Sequence, residues 1–288
     1  MKFTKIHGLG NDYLYINCTK NGEVVNESKI PQLARYMSNR NFGAGADGII
    51  LIEDSEIADF KMRIYNSDGS QAEMCGNGIR GVGKFVYDYN LTDKTNITVE
   101  TLAGIKKLRL FLKNNKVESV EVNMGKTSLD TKLILTPNMQ IKDSSKITTL
   151  KFNIENTEYI GNCISIGNPH FVIFTNQIDN IDVEKVGKFI ENSKYFLNKT
   201  NVEFAQVIDR RTIKMRVWER GVGETYACGT GACCVAKVAN LYGYVRENVN
   251  VMLKGGVLNI KINKETDEIF MTGISTKVYD GELEKAYL

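Results

Sequence analysis

Alternation of apolar and polar positions predicts strands over 97–101, 106–112 and 117–123, and apolar stretches bounded by turn residues read as strands over 3–7, 13–17, 49–53 and 61–66 in the first half of the chain. Helical spacing breaks in at 31–39, where Leu33, Ala34 and Met37 share a face and Pro31 occupies the first turn. A second helix, to about residue 89, follows a glycine-rich turn at 76–78. The later half runs in the same order. A strand through 166–173 leads to a helix over 183–196, with Val183, Val186, Phe189 and Ile190 inward and Asp182 as N-cap. A strand at 202–208 then precedes the segment 231–242, which is apolar almost all round and reads as a buried helix. Strands at 269–272 and 274–279 close the chain. Mostly strands with a central apolar helix in each half gives an α+β class.

The order recurs because the sequence recurs. Met74-Cys75-Gly76-Asn77-Gly78-Ile79 returns as Ala227-Cys228-Gly229-Thr230-Gly231-Ala232, an offset of 153 residues (75 to 228). The same offset pairs Met62-Arg63-Ile64-Tyr65 with Met215-Arg216-Val217-Trp218, and Lys84 with Lys237. A long repeat present twice points to two duplicated lobes and not to a solenoid. The division falls near 121–126. In each copy Gly-x-Gly lets the backbone turn sharply before the apolar helix, which leaves the cysteine at a helix start. Free N–H groups and the helix dipole there bind anions and favour a thiolate.

Composition narrows the classes without choosing one. The 288 residues suffice for two cores, and 42% hydrophobic with 25% charged residues is ordinary for a globular protein. A net charge of +3, with no basic run, argues against nucleic acid. No stretch resembles a membrane span or a signal peptide, so the chain reads as cytoplasmic. Six cysteines without Cys-x-x-Cys spacing, and only two histidines, do not suit a zinc site or a disulfide framework. Cys18, Cys163, Cys233 and Cys234 read as small buried hydrophobes. No metal and no cofactor is expected.

His7-Gly-Leu-Gly-Asn-Asp12, Asn66-Ser-Asp-Gly-Ser70, Glu73-Met-Cys-Gly-Asn-Gly-Ile-Arg80, Gly167-Asn-Pro-His170, Thr200-Asn-Val-Glu203, the run from Trp218 to Ala232, and Tyr279-Asp-Gly281 follow one another along the chain. This ordered set resembles the diaminopimelate epimerase family over nearly the whole length. The resemblance implies two pseudo-symmetric lobes, each a β-barrel-like sheet around a central helix: 1–122 with the returning segment 274–288, and 123–273. It implies Cys75 and Cys228 as catalytic residues. Backbone N–H groups of Gly76, Asn77, Gly229 and Thr230 would hold the α-carboxylate. Asn11, Asn66, Asn168, Asn201, Glu219 and Arg220 would hold the other polar groups of an amino-acid substrate, and His170 and Glu219 would tune the thiols. Tyr279 matches a dimer-contact position, which implies a homodimer. One position departs: Gly48 stands after Asp47, where a glutamine ligand is common.

Each of these residues also has a plainer reading. Singly, the asparagines suit turns, Glu219–Arg220 suits a solvated pair, and His170 suits a structural role. A racemase or epimerase of another amino acid on the same two-thiol scaffold is the nearest alternative; a cysteine hydrolase using Cys228 with His170 would leave Cys75 unexplained, and a non-catalytic amino-acid-binding module would bind ligand but wash out no α-proton. Two thiols do fit cofactor-free inversion of a carbon centre. One thiolate takes the α-proton from one face while one thiol gives a proton to the other.

Overall fold

The computed structural model describes residues 1–139 and 146–284. The chain divides into two compact units: Met1–Asn123 with the segment from Thr272 onward, and Met124–Met271.

The first unit opens with β1 (Lys2–Gly8) and β2 (Asn11–Asn17), an antiparallel pair turned at Leu9 and Gly10. Helix α1 (Ile30–Ser38) follows, and β3 (Gly48–Glu53) then runs parallel to β2. On β3 lies β4 (Phe60–Asn66), antiparallel, with the short β5 (Gln71–Ala72) folded back on it. Helix α2 (Gly76–Asp88) leads to β6 (Asn96–Glu100), which is parallel to β4. The antiparallel strands β7 (Lys106–Lys113) and β8 (Lys116–Lys126) complete the run. Because α2 packs on β1, β2 and β7, the sheet must curve around it. Strand β3 shows why its sequence does not alternate. Ile49 and Leu51 join Leu33, Ala34 and Met37 of α1 in one core, while Ile50 reaches Gly78 of α2 on the opposite face. A strand buried on both sides needs apolar residues throughout.

The second unit repeats the plan after the hairpin of β9 (Thr148–Ile154) and β10 (Thr157–Ser165), whose turn residues Glu155 and Asn156 both take positive φ. Strand β11 (Pro169–Phe174) pairs with β10; helix α3 (Val183–Glu191) intervenes; β12 (Asn201–Asp209) then runs parallel to β11. Next come β13 (Thr212–Glu219), the short β14 (Gly223–Glu224) and α4 (Gly229–Leu241). The strands β15 (Asn248–Leu253), parallel to β13, and β16 (Gly256–Ile262) follow, and then β17 (Glu268–Ile274). Helix α4 is packed by β10, β11, β12, β13, β15 and β16, and is buried almost throughout. Its Lys237 is 8% exposed and pairs with Asp267, as Lys84 of α2 pairs with Asp88. Finally β18 (Thr276–Glu282) lies antiparallel on β1 in the first unit.

The α+β class holds. Two details differ from the sequence pattern. Helix α3 ends at Glu191, where Asn192 caps it through a bond from its amide to the Lys188 carbonyl (2.8 Å). Phe189, expected inward, is 54% exposed. The buried stripe is Val183, Val186, Gly187 and Ile190, and a Cβ on Gly187 would stand 2.4 Å from Trp218 Cβ. The helix is therefore held by close backbone approach at a glycine, which turns Phe189 away. The hairpins at 148–165 and 248–262 were not marked by the pattern. In β10, residues 161–165 are all buried and do not alternate.

Candidate active site

Each repeated phrase builds the same local geometry in its own unit. Cys75 is the N-cap of α2 at φ −134°, ψ 120°, and Cys228 is the N-cap of α4 at φ −117°, ψ 111°. The Gly78 N–H donates to Cys75 Sγ (3.4 Å), and the Gly231 N–H donates to Cys228 Sγ (3.3 Å). Each sulfur thus replaces the oxygen of an ordinary N-cap side chain and satisfies one of the free helix-start donors. N–H groups at the starts of both helices, from Gly76, Asn77, Gly229 and Thr230, form the first turn next to the sulfur. The glycines let neighbouring side chains approach closely. A Cβ on Gly78 would meet Ile50 Cδ1 at 2.8 Å, and one on Gly231 would meet Glu203 Oε1 at 2.7 Å and Cys228 Sγ at 3.2 Å.

In the first unit the Cys75 thiol donates to Asn11 Oδ1 (3.4 Å). The Asn11 amide NH2 donates in turn to Asp47 Oδ2 (2.7 Å). Asp47 also accepts from the Asp12 N–H and from Arg40. Beneath the thiol lies Tyr13, whose hydroxyl is held well above the usual phenol range, first by burial and then by the neighbouring Cys75. Asn66 ends β4 and braces the turn to Ser70, its amide NH2 donating to Ser70 Oγ (3.1 Å). Asn77 is buried and accepts from Arg80 Nη2 (2.9 Å), with Arg80 itself fully buried. Gly48 is closed to any side chain, since a Cβ would lie 2.3 Å from the Tyr65 carbonyl oxygen.

In the second unit the surroundings are acidic. Glu219, at the end of β13, lies within hydrogen-bonding reach of Cys228 and accepts a short bond from the Thr225 hydroxyl. Burial pushes Glu219 above the usual carboxylate range. Burial, followed by the charges of Glu219 and Glu203, pushes the Cys228 thiol well up; the Thr230 hydroxyl and the Gly231 N–H pull the other way. His170 is fully buried on β11, with Nδ1 2.6 Å from Glu203 Oε1 and Nε2 3.0 Å from Asn168 Oδ1. The Asn168 NH2 donates to Thr230 Oγ1 (3.4 Å), which is 3.4 Å from Cys228 Sγ. Asn201 is used internally: its NH2 donates to the Pro169 carbonyl (2.9 Å) and its Oδ1 accepts the Arg220 N–H (2.9 Å). The exposed Arg220 donates from Nη1 to the Asn198 carbonyl (3.0 Å).

Tyr279 lies on β18. It packs edge-on against Phe3, and its hydroxyl donates to the Ala44 carbonyl (3.0 Å). Among the described residues no three His, Cys, Asp or Glu side chains gather as a metal site, and no helix is long and apolar enough to cross a membrane. Sequence reasoning did not single out Glu203, Asp47, Tyr13 or Thr225. Glu203 did leave a signal, as the one charge inside the otherwise apolar stretch Val202 to Ala205.

Comparisons with known proteins bear on the family and the fold. The diaminopimelate epimerase family model matches residues 3–129 and 162–278. A diaminopimelate epimerase of Methanococcus maripaludis is 49% identical over 286 residues, covering 99% of this chain and all of that protein. One from Agathobacter rectalis is 46% identical over 290 residues, covering 99% of each. Among solved structures, a PhzF-family phenazine biosynthesis protein of Bacillus anthracis superposes with a TM-score of 0.66 at 16% identity, covering 99% of each chain. A hydroxyproline epimerase from Agrobacterium vitis gives 0.68 at 11%, covering 98% of this chain and 90% of its own. These two likenesses speak for the fold, and the close relatives decide the rest: the chain belongs to the diaminopimelate epimerase family, a family of amino-acid epimerases.

Proposed function

We propose that the protein interconverts LL- and meso-diaminopimelate by a cofactor-independent two-base mechanism, with Cys75 and Cys228 as the bases. The observation that carries this reading is the matched capping geometry, with the Gly78 N–H 3.4 Å from one sulfur and the Gly231 N–H 3.3 Å from the other. Inversion requires one thiolate to remove the α-proton and one thiol to protonate the opposite face, and the reverse reaction exchanges the roles. Each turnover leaves the proton on the other sulfur, so the two thiols alternate as acid and base. Helix-start N–H groups from Gly76, Asn77, Gly229 and Thr230 bind the α-carboxylate and stabilise the charge that develops as the carbanion forms. Glu219 and His170 set the proton affinity on the Cys228 side.

Asn11, Asn66, Asn168, Asn201 and Arg220 are assigned to the substrate's remaining ammonium and carboxylate groups. The lobes that supply the two thiols are 1–122 with 274–288, and 123–273. The enzyme acts in the cytoplasm, as a homodimer that includes Tyr279 in its contact, and supplies precursors of lysine and peptidoglycan.

The deciding experiment is 1H NMR of LL-diaminopimelate with the protein in D2O. The α-proton signal should wash out as the meso isomer grows. Cys75→Ala and Cys228→Ala should each slow epimerisation by at least ~10²-fold, the scale of losing a positioned acid or base. A folded Cys75→Ala protein with near-normal turnover rules the two-thiol mechanism out.

A further inference from the structure

The repeat makes the two thiol environments directly comparable, and they differ in the buried side chains beneath the helix starts: Tyr13 and Ile50 in the first unit, His170 and Glu203 in the second. Tyr13 pairs with Gly48 across β2 and β3, and His170 pairs with Asn201 across β11 and β12. Two residues further on, Ile50 of β3 lies under Gly78, and Glu203 of β12 lies under Gly231. An aliphatic side chain supports one helix start, and a carboxylate with no exposed surface supports the other. Such a carboxylate is costly to bury without partners.

Its recorded partner is His170, and from there a chain of contacts leads to the thiol. Oε1 of Glu203 faces His170 Nδ1 at 2.6 Å, His170 Nε2 faces Asn168 Oδ1 at 3.0 Å, Asn168 Nδ2 faces Thr230 Oγ1 at 3.4 Å, and Thr230 Oγ1 is 3.4 Å from Cys228 Sγ. An amide oxygen only accepts, so the contact at Nε2 needs a hydrogen on Nε2; the Nδ1 contact then takes either a second ring hydrogen donated to a Glu203 carboxylate or a protonated Glu203 donating to a bare Nδ1. Asn11 in the first unit is also fixed by a carboxylate, Asp47, but directly and in the opposite sense. Its NH2 faces Asp47 and its oxygen faces Cys75.

We propose that Glu203 is a positioning residue for the reaction: through His170 it fixes the Asn168 amide with its oxygen inward and its NH2 toward the first turn of α4. The consequence is an asymmetry between the half-sites. Asn11 offers an acceptor to its thiol, whereas Asn168 offers a donor at the helix start beside Cys228. Were His170 to carry its only proton on Nδ1, Nε2 would become an acceptor, and the Asn168 amide would rotate to present its oxygen instead. The functional half of this inference rests on the assignment of Cys228 as an acid/base. The structural half does not.

The test uses 15N-histidine labelling of the whole protein, which has only two histidines, His7 and His170. His7→Gln assigns the signals. The expected result is a protonated Nε2 on His170 near neutral pH. A His170 with Nε2 bare and Nδ1 protonated overturns the inference, whatever Cys75→Ala and Cys228→Ala show. Glu203→Gln can donate from its amide to Nδ1, so it should keep hydrogen on Nε2 and retain most of kcat/KM. Glu203→Leu, which copies the apolar support of the other unit, should lose the fixed tautomer and ~10-fold or more of kcat/KM, the usual scale for removing the partner behind a working imidazole. If the two variants lose activity equally while Nε2 keeps its hydrogen, Glu203 serves packing alone and the inference falls. Should Glu203→Leu not fold, the wild-type and Glu203→Gln spectra still decide between the outcomes.

Discussion

Single residues set the chemistry by what lies within one contact of them. Cys228 is held as a thiol first by burial and next by the negative charges of Glu219 and Glu203. Removing one of those charges favours the thiolate. Glu219→Gln should therefore move the pH midpoint of Cys228 alkylation by iodoacetamide downward. Peptide mapping of the alkylated protein reads this directly, and an upward or absent shift contradicts the assignment. At Gly48 the limit is steric. With the Tyr65 carbonyl 2.3 Å from an added Cβ, Gly48→Gln should destabilise the first unit instead of adding a substrate contact. Arg220 belongs to specificity. If it forks onto a distal carboxylate, lysine and 2-aminopimelate should both be poor substrates. Arg220→Lys should lose much of the activity. Epimerisation of lysine within tenfold of diaminopimelate would remove that role from Arg220.

At the scale of elements, the two central helices begin alike but are supported differently. In α2 the atom nearest to a Cβ on Gly78 is the tip of Ile50, which can swing aside. In α4 the nearest to Gly231 is a fully buried carboxylate already engaged by His170. Gly231→Ala should therefore cost about 1–3 kcal/mol, as overpacking of a tight site does, and Gly78→Ala clearly less. Urea titrations of the two variants compare them, and equal losses would mean that the support beneath the helices does not matter. The two ends of helix α3 are fixed in different ways. Asp182 caps it as its sequence position indicates, accepting the Lys185 N–H at 3.0 Å. Its C-terminus depends on Asn192 and on the close fit of Gly187 to Trp218, and a hydrophobic periodicity does not record either.

For the whole molecule, several buried thiols act together on stability. Burial pushes Cys163 up to about 12, and Cys234 well above the usual thiol range. In the unfolded chain these groups ionise near ~8.5, so above that pH the unfolded state releases protons that the folded state keeps. Their contribution is thus fully present below the unfolded value and is lost as pH rises toward the folded one. Each such thiol adds a slope of at most about 1.4 kcal/mol per pH unit in that window. Cys163→Ala should flatten the fall of stability between pH 9 and 11 by about that slope, measured by urea unfolding. An unchanged slope would show that Cys163 ionises as freely folded as unfolded.

The sequence by itself determined the duplication, the α+β class, the position of both thiols at helix starts and most strand positions, because these follow from local periodicity and from where glycine must stand. It also marked the asparagines and Glu219 through their place in ordered motifs. Tertiary structure alone decided which partners each polar group has. Asn201 braces Pro169 and Arg220, Asn66 braces a turn, and Asn11 and Asn168 carry their amides in opposite senses. Those outcomes depend on residues distant in the chain, such as Asp47 against Asn11 and Glu203 against His170. A hydrogen bond between strands is set by register and packing, and neither is written in the spacing of either strand alone.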